Sequence, residues 1–293
     1  MTAGLAAPSA QLNAPTIGRR RGRVRAGLPL GSVSGPTLGV VVLWLSLLVL
    51  LPLAAVVGKA FAGGWGQFVS AVTSREAVAA LRLTITLALG VAVVGAVMGT
   101  IVAWVLVREP FRGSRLLEMV IDIPFALPTI VAGLVMLAVY GGGTPLAPDL
   151  FGTRAGLFVA LLFVTLPFGV RTVQPVLVEL DREVEQAAAS LGASPSAVFR
   201  RIVLPQIMPA VASGAALSFA RALGEYGSLI LISSNIPFKT EIASALIYGK
   251  LQDAEHAARS TQQAAAISTV LLVASAVVLV LLDLLQRRVS RRG

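Results

Sequence analysis

The sequence predicts an all-α integral membrane protein with six transmembrane helices, and three observations carry that reading. Hydrophobic residues fill 56% of the 293 positions and charged ones 13%, with mean hydropathy +0.85. That is more apolar surface than a water-soluble core of this length needs to bury. The apolar residues gather into six stretches near the ~20 residues a helix needs to cross the bilayer hydrocarbon. The basic residues sit in short clusters beside those stretches, mostly on one side. In a polar protein the net charge of +10 would suggest nucleic acid. Here it reads as membrane orientation, and no nucleic-acid partner is expected. With no cysteine and one histidine, His256, disulfides and thiolate chemistry are excluded and a multi-ligand metal site is not expected.

Residues 1–36 are rich in Ala, Pro, Gly and Arg and read as a disordered basic tail. The transmembrane domain then covers residues 37–288, with a short tail at 289–293. Span one is Leu38–Val57. The Ala60-Phe61-Ala62 that follows resembles a leader-cleavage site, but the apolar run exceeds the roughly 7–15 residues of a cleaved leader, so the span is expected to be retained. Span two, Leu83–Val107, is charge-free and carries Gly95 and Gly99, a small-xxx-small pair suited to close helix packing. Span three, Ile123–Tyr140, is interrupted by Pro124 and Pro128. Span four starts at Ala155, and Arg171 can snorkel, extending it to Val176. Span five, Ala210–Ser233, carries Arg221 and Glu225. Span six is Ala264–Leu285.

Sixteen basic residues lie in the N-terminal tail, the connection after span two, the region after span four and the C-terminal tail; seven lie on the other side. The positive-inside rule therefore makes both termini cytoplasmic in a multi-pass membrane protein.

The cytoplasmic connection over residues 179–209 is long and patterned. Asp181 is placed to cap a helix, with Glu183 and Glu185 in its first turn. Val184, Ala187, Ala188 and Leu191 form one apolar stripe at helical spacing. Gly192 stands where a helix end wants a left-handed residue, Ala193 follows, and Ser194-Pro195 starts a second short helix. Leu204-Pro205 is expected to end that helix, and Pro209 to open span five. An amphipathic elbow of this kind suits either lipid headgroups or a protein cleft, and the pattern alone does not choose.

The same residues resemble a family. Importer-type ATP-binding-cassette permeases carry a cytoplasmic loop written E-A-A-x3-G-x9-I-x-L-P. This chain has Gln186-Ala187-Ala188, Gly192, Ile202, Leu204 and Pro205 at the same spacing, with Gln186 in place of the glutamate and Glu185 one position earlier. The resemblance implies the importer-type permease fold of the molybdate and sulfate transporters. It also implies that the elbow is a coupling helix fitting a cleft on an ATPase subunit.

Arg221 and Glu225 sit at i, i+4, so they can pair on one helix face; they can also line a pathway for an anion, and both readings stay open. Beyond them, Arg221-Ala222-Leu223-Gly224-Glu225-Tyr226-Gly227-Ser228 and then Asn235 through Ile242, with Asn235 and Lys239 as further pathway candidates, are similar to the T-type permeases of sulfate/thiosulfate importers. The similarity spans roughly Ala80 to Arg288. It implies a heterodimer with a W-type permease, two copies of an ATP-binding subunit and an extracytoplasmic sulfate-binding protein, all meeting in membrane lipid. None of the three lysines lies in a G-x4-G-K-[ST] phosphate loop, so ATP is expected on partner subunits, with no enzyme activity and no cofactor here. Two alternatives remain: a permease for another oxyanion such as molybdate, tungstate or phosphate, and a secondary anion transporter.

Overall fold

A computed structural model describes residues 35–109, 111–143, 145 and 147–290, and every regular element among them is helical. The expected tail over residues 1–36 lies almost wholly outside the described residues, as do residues 291–293. The chain separates into two units, residues 1–52 and 53–293. In the first, α1 (Gly35–Leu45) runs into a π-helical turn, Ser46–Leu50, before α2 (Leu51–Ala60) crosses the unit boundary.

The second unit continues with α3 (Gly64–Val72), α4 (Arg75–Arg108), α5 (Ser114–Ala126), α6 (Thr129–Tyr140) and α7 (Arg154–Glu179). α8 (Arg182–Ser190) and α9 (Pro195–Val198) form the elbow. α10 (Leu204–Leu223), α11 (Gly227–Ile232), α12 (Ala243–Gln252) and α13 (Ala257–Ser290) complete it. Among the described residues five helical stretches are long and apolar enough to cross a membrane: Thr37–Ala60, Arg75–Arg108, Arg154–Glu179, Pro195–Leu223 and Ala257–Leu281.

The expected third span is not one rod. It divides into α5 and α6, bent by 116° at Leu127-Pro128. A proline excludes the helical conformation from the residue before it, and Leu127 is accordingly extended, at φ −82° and ψ 134°. At about 1.5 Å per residue neither half reaches the ~30 Å of hydrocarbon alone. Among the described residues a sixth crossing is reached if this bent pair counts as one span.

The fifth span is also displaced. Leu204-Pro205 does not end the second elbow helix: a π-helical turn, Phe199–Val203, carries α9 straight into α10. Pro205 and Pro209 both stand within this continuous run of helix, Pro205 directly after the π-helical turn and Leu204. The helix stops at Leu223, ten residues short of Ser233, and Ser228–Ile232 belong to the separate α11. Sequence reading also passed over α3 and α12, which are too short to register as spans.

In lipid, apolar surface gains little by meeting apolar surface, so close approach of backbones has to hold helices together. α4, α7 and α10 meet at glycines. A Cβ on Gly99 would come within 2.6 Å of the Gly169 carbonyl carbon, and one on Gly214 within 3.1 Å of Gly169 Cα. The small-xxx-small pair of α4 therefore closes on α7, where Gly169 would likewise clash with the Gly95 carbonyl oxygen. On one side of this crossing lies a cluster of Leu87, Val91, Leu157, Leu161 and Phe219; on the other, nearer the elbow, one of Ala103, Val173, Leu177, Val203 and Ile207.

At the end away from the elbow, Thr84 Oγ1 accepts from Ala243 N at 2.8 Å, fixing the start of α12 to α4. The loop between α11 and α12 has two non-glycine residues at positive φ, Asn235 (48°) and Phe238 (66°). It is folded around Thr240, whose Oγ1 receives Ile236 N at 3.2 Å. Arg154 clamps it from outside, with Nε donating to Lys239 O at 3.0 Å. His256 is exposed, and Asp253 beside it accepts from Ser260 Oγ at 2.8 Å. That bond, with the His256 amide, holds the Asp253 carboxyl below its ordinary range.

Candidate functional site: the elbow and the helix break

The elbow starts as the sequence indicates. Asp181 accepts from Glu183 N at 2.8 Å, capping α8. The helix ends in a Schellman turn: Ala193 N reaches Ala188 O at 3.1 Å and Gly192 N reaches Ala189 O at 2.9 Å. Gly192 sits at φ +85° with open space around it, so its requirement is for backbone conformation alone. Ser194 then caps α9, accepting from Ala197 N at 3.3 Å, with Pro195 in the first turn.

No residue of α8 is buried. Of the apolar stripe, Val184 and Ala187 are exposed, Ala188 is half-covered, and Leu191 is 90% exposed. Gln186 is exposed as well. Most of the face that amphipathic spacing assigns to burial thus finds no cover among the described residues.

Glu185, expected among the coupling-loop residues, stands beside the bundle. It turns inward to Arg108 at the end of α4, 2.5 Å away, with 7% of the Arg108 side chain and 19% of its own exposed. Arg108 also lies 5.8 Å over the Trp104 ring, and Trp104 meets Phe199 edge-on at 5.3 Å. Arg182 Nη2 donates to Val107 O at 3.0 Å. Gln186 directly follows Glu185, a step of ~100° around the helix, so one anchors while the other faces out. Ile202 and Leu204 are half-buried and Pro205 exposed, at the joint where the π-helical turn passes into α10.

The second site lies where α10 breaks. Arg221 and Glu225 pair at 2.5 Å, with 32% and 1% of their side chains exposed. Glu225 has further partners: its Oε1 accepts from Ser228 N at 2.8 Å, and its backbone oxygen accepts from Ser244 Oγ at 2.8 Å. Glu225 therefore ties the end of α10, the start of α11 and α12 together. Arg221 lies on the same open face of α10 as the exposed Leu217 and Gly224. The structure does not bring Asn235 and Lys239 to this pair. They sit in the clamped loop, Lys239 exposed and Asn235 half-buried with its Oδ1 unpartnered.

A third polar group went unread in the sequence. On α5, Asp122 binds Arg171 of α7 through both oxygens, the Nε contact being 2.8 Å. Arg171 Nη1 donates to Gln174 Oε1 at 2.9 Å, and Gln174 Nε2 to Glu118 Oε1 at 2.9 Å. All four are half-exposed. The signal was present in Glu118 and Asp122 at i, i+4 with Arg171 and Gln174 at i, i+3, but it shows only once α5 is laid against α7.

The family model described as "Binding-protein-dependent transport system inner membrane component" matches residues 93–292. The chain is 43% identical over 244 residues to a probable sulfate transport system permease protein of Nephroselmis olivacea, covering 81% of this chain and 84% of that one. It is 42% identical over 255 residues to the sulfate transport system permease protein CysT of Synechocystis, covering 85% and 87%. Among solved structures, a bacterial ABC transporter involved in the import of the acidic polysaccharide alginate superposes with a TM-score of 0.69 at 17% identity, over 86% of this chain and 94% of that chain. At that identity the likeness is one of fold. The family match over residues 93–292, joined to relatives above 40% identity across four-fifths of the sequence, places this chain among the inner membrane components of binding-protein-dependent transport systems.

Proposed function

We infer that this chain is the transmembrane permease subunit of an ATP-driven importer for sulfate or thiosulfate, energised by separate ATPase subunits through the α8–α9 elbow. The observation that carries the coupling is the uncovered stripe of Val184, Ala187 and Leu191 on a helix whose both ends are capped. A rigid apolar face set off the bundle suits a cleft on a partner better than lipid, because the inward Glu185–Arg108 pair holds it at a fixed angle. Sulfate is supported by the printed names of relatives at 42–43% identity. In this reading ATP binds only to partner subunits and the chain needs no cofactor of its own. Its partners are a W-type permease, two ATPase copies and an extracytoplasmic sulfate-binding protein, and both termini face the cytoplasm. Closure of the ATPase dimer draws the elbows together and turns the bundles, a rigid-body route to alternating access. Arg221 supplies positive charge on the open face of α10.

The test is uptake of labelled sulfate by a deletion strain with and without this chain, challenged by excess thiosulfate, molybdate or phosphate. Restored sulfate uptake that thiosulfate suppresses supports the reading. Unchanged sulfate uptake with lost molybdate or phosphate uptake assigns a different oxyanion to the same importer architecture.

A further inference from the structure

Three arginines meet around one cavity at the end of the bundle opposite the elbow. Arg75 and Arg82 come from the first turns of α4 and Arg154 from the start of α7; Thr73, Val78, Leu83, Thr86 and Phe238 complete most of the wall. The cavity holds about 740 Å³ and no carboxylate lines it. Among the described residues none of the three arginines has a carboxylate partner; the nearby Glu76 is taken by Lys250 at 3.1 Å. Arg154 spends Nε and Nη2 on loop carbonyls, which fixes its guanidinium at the rim without neutralising it. Three like charges around an unneutralised hollow repel one another, and an anion in the hollow reverses the sign of that interaction.

The level of the site says where the anion comes from. Arg82 immediately precedes the charge-free run Leu83–Val107, and Arg154 immediately precedes the apolar run that opens span four. Both therefore stand at the boundary between polar and hydrocarbon layers, where headgroups lie. Below Arg82, the same face of α4 continues through Thr86, Leu89, Val93 and Val97, all exposed, as a ladder descending into the hydrocarbon. A small dissolved anion has no use for such a ladder, whereas a phospholipid does: its phosphate takes the guanidinium forks and its chains follow the apolar face. A cavity that received an acidic protein side chain would not need the ladder either.

We propose that Arg75, Arg82 and Arg154 form a binding site for the phosphate of an anionic phospholipid in the outer leaflet, with its acyl chains along α4. The site is distinct from the elbow and the Arg221–Glu225 break, and its test does not depend on the transported substrate.

The test uses the purified full chain in detergent, with native mass spectrometry counting bound phosphatidylglycerol against phosphatidylcholine. Wild type retains phosphatidylglycerol selectively. Arg75→Gln with Arg82→Gln lowers its apparent affinity roughly 25-fold, at about five-fold for each basic residue near a headgroup. Arg259→Gln, an exposed arginine lining a different cavity, leaves it unchanged. Arg75→Lys with Arg82→Lys keeps both charges and most of the binding, so it decides the matter should the glutamine pair fold poorly. Equal retention of the two lipids by wild type, or unchanged retention by a folded glutamine variant, overturns the proposal. So does displacement of the lipid by 10 mM inorganic sulfate or phosphate, which would make the cavity a site for free oxyanions.

Discussion

Glu225 is a carboxylate with 1% of its side chain exposed, held by one guanidinium and one backbone amide. Replacing Arg221 by alanine leaves the charge with Ser228 N alone, and stranding a buried charge costs about 3–5 kcal/mol. Arg221→Ala should therefore lower the amount of folded protein in the membrane, while Arg221→Ala with Glu225→Ala should recover most of it. Abundance by immunoblot and sulfate uptake, measured on both variants, separate two roles. If the double variant is abundant yet inactive, Arg221 acts on the transported anion; if uptake returns with abundance, the pair is structural. The pairing itself was legible in the sequence, because four residues along a helix bring side chains together. The bonds from Ser228 and Ser244 were not. They exist because the chain breaks at Gly224 and folds back, and a long apolar run conceals such a break.

In the elbow three local signals agreed with the structure, the aspartate cap, the glycine turn and the Ser-Pro restart, while Leu204-Pro205 did not end the second helix. Gly192→Val should leave the protein in the membrane, since nothing crowds the new side chain, yet holding a β-branched residue at φ +85° costs about 1–2 kcal/mol. The turn then relaxes and re-aims α8. Uptake should fall severalfold at near-wild-type abundance, with Gly192→Asn affected less because asparagine accepts left-handed backbone more readily. Normal uptake by the valine variant would remove the elbow's angle from the mechanism. Elements whose neighbours decide their course were harder to read. Pro128 announced a break in the third span, but not that the halves would turn through 116°. Glu185 read as a first-turn carboxylate of the elbow helix, and its pairing with Arg108, 77 positions away, shows only in the fold.

For the whole molecule, the number of apolar stretches carried most of the architecture, while the asymmetry of basic residues carries the proposed orientation. Composition reports what lipid must solvate, and it does so before any packing is known. Helix ends, the bent pair and the short α3 and α12 stayed hidden because they are set by glycine contacts and loop bonds between distant residues. The proposed orientation can be checked directly, since the chain has no native cysteine. Ser196→Cys, exposed on the elbow, should escape an impermeant thiol reagent in intact cells, whereas Lys239→Cys, exposed in the opposite loop, should react. Labelling in the reverse pattern would invert the assignment of both termini.

The π-helical turn at Phe199–Val203 joins α9 to α10, so helix runs unbroken from Pro195 to Leu223, 29 residues or about 43 Å. Such a turn is an α-helix with one residue wedged into its winding, and each residue advances the winding by ~100°. It therefore works as a setting of phase. It decides which way Arg221 points for a given aim of the elbow, as a gear tooth fixes the relation between two shafts. Under the proposed coupling, the wedge is where the aim of the elbow and the direction of Arg221 are set relative to each other.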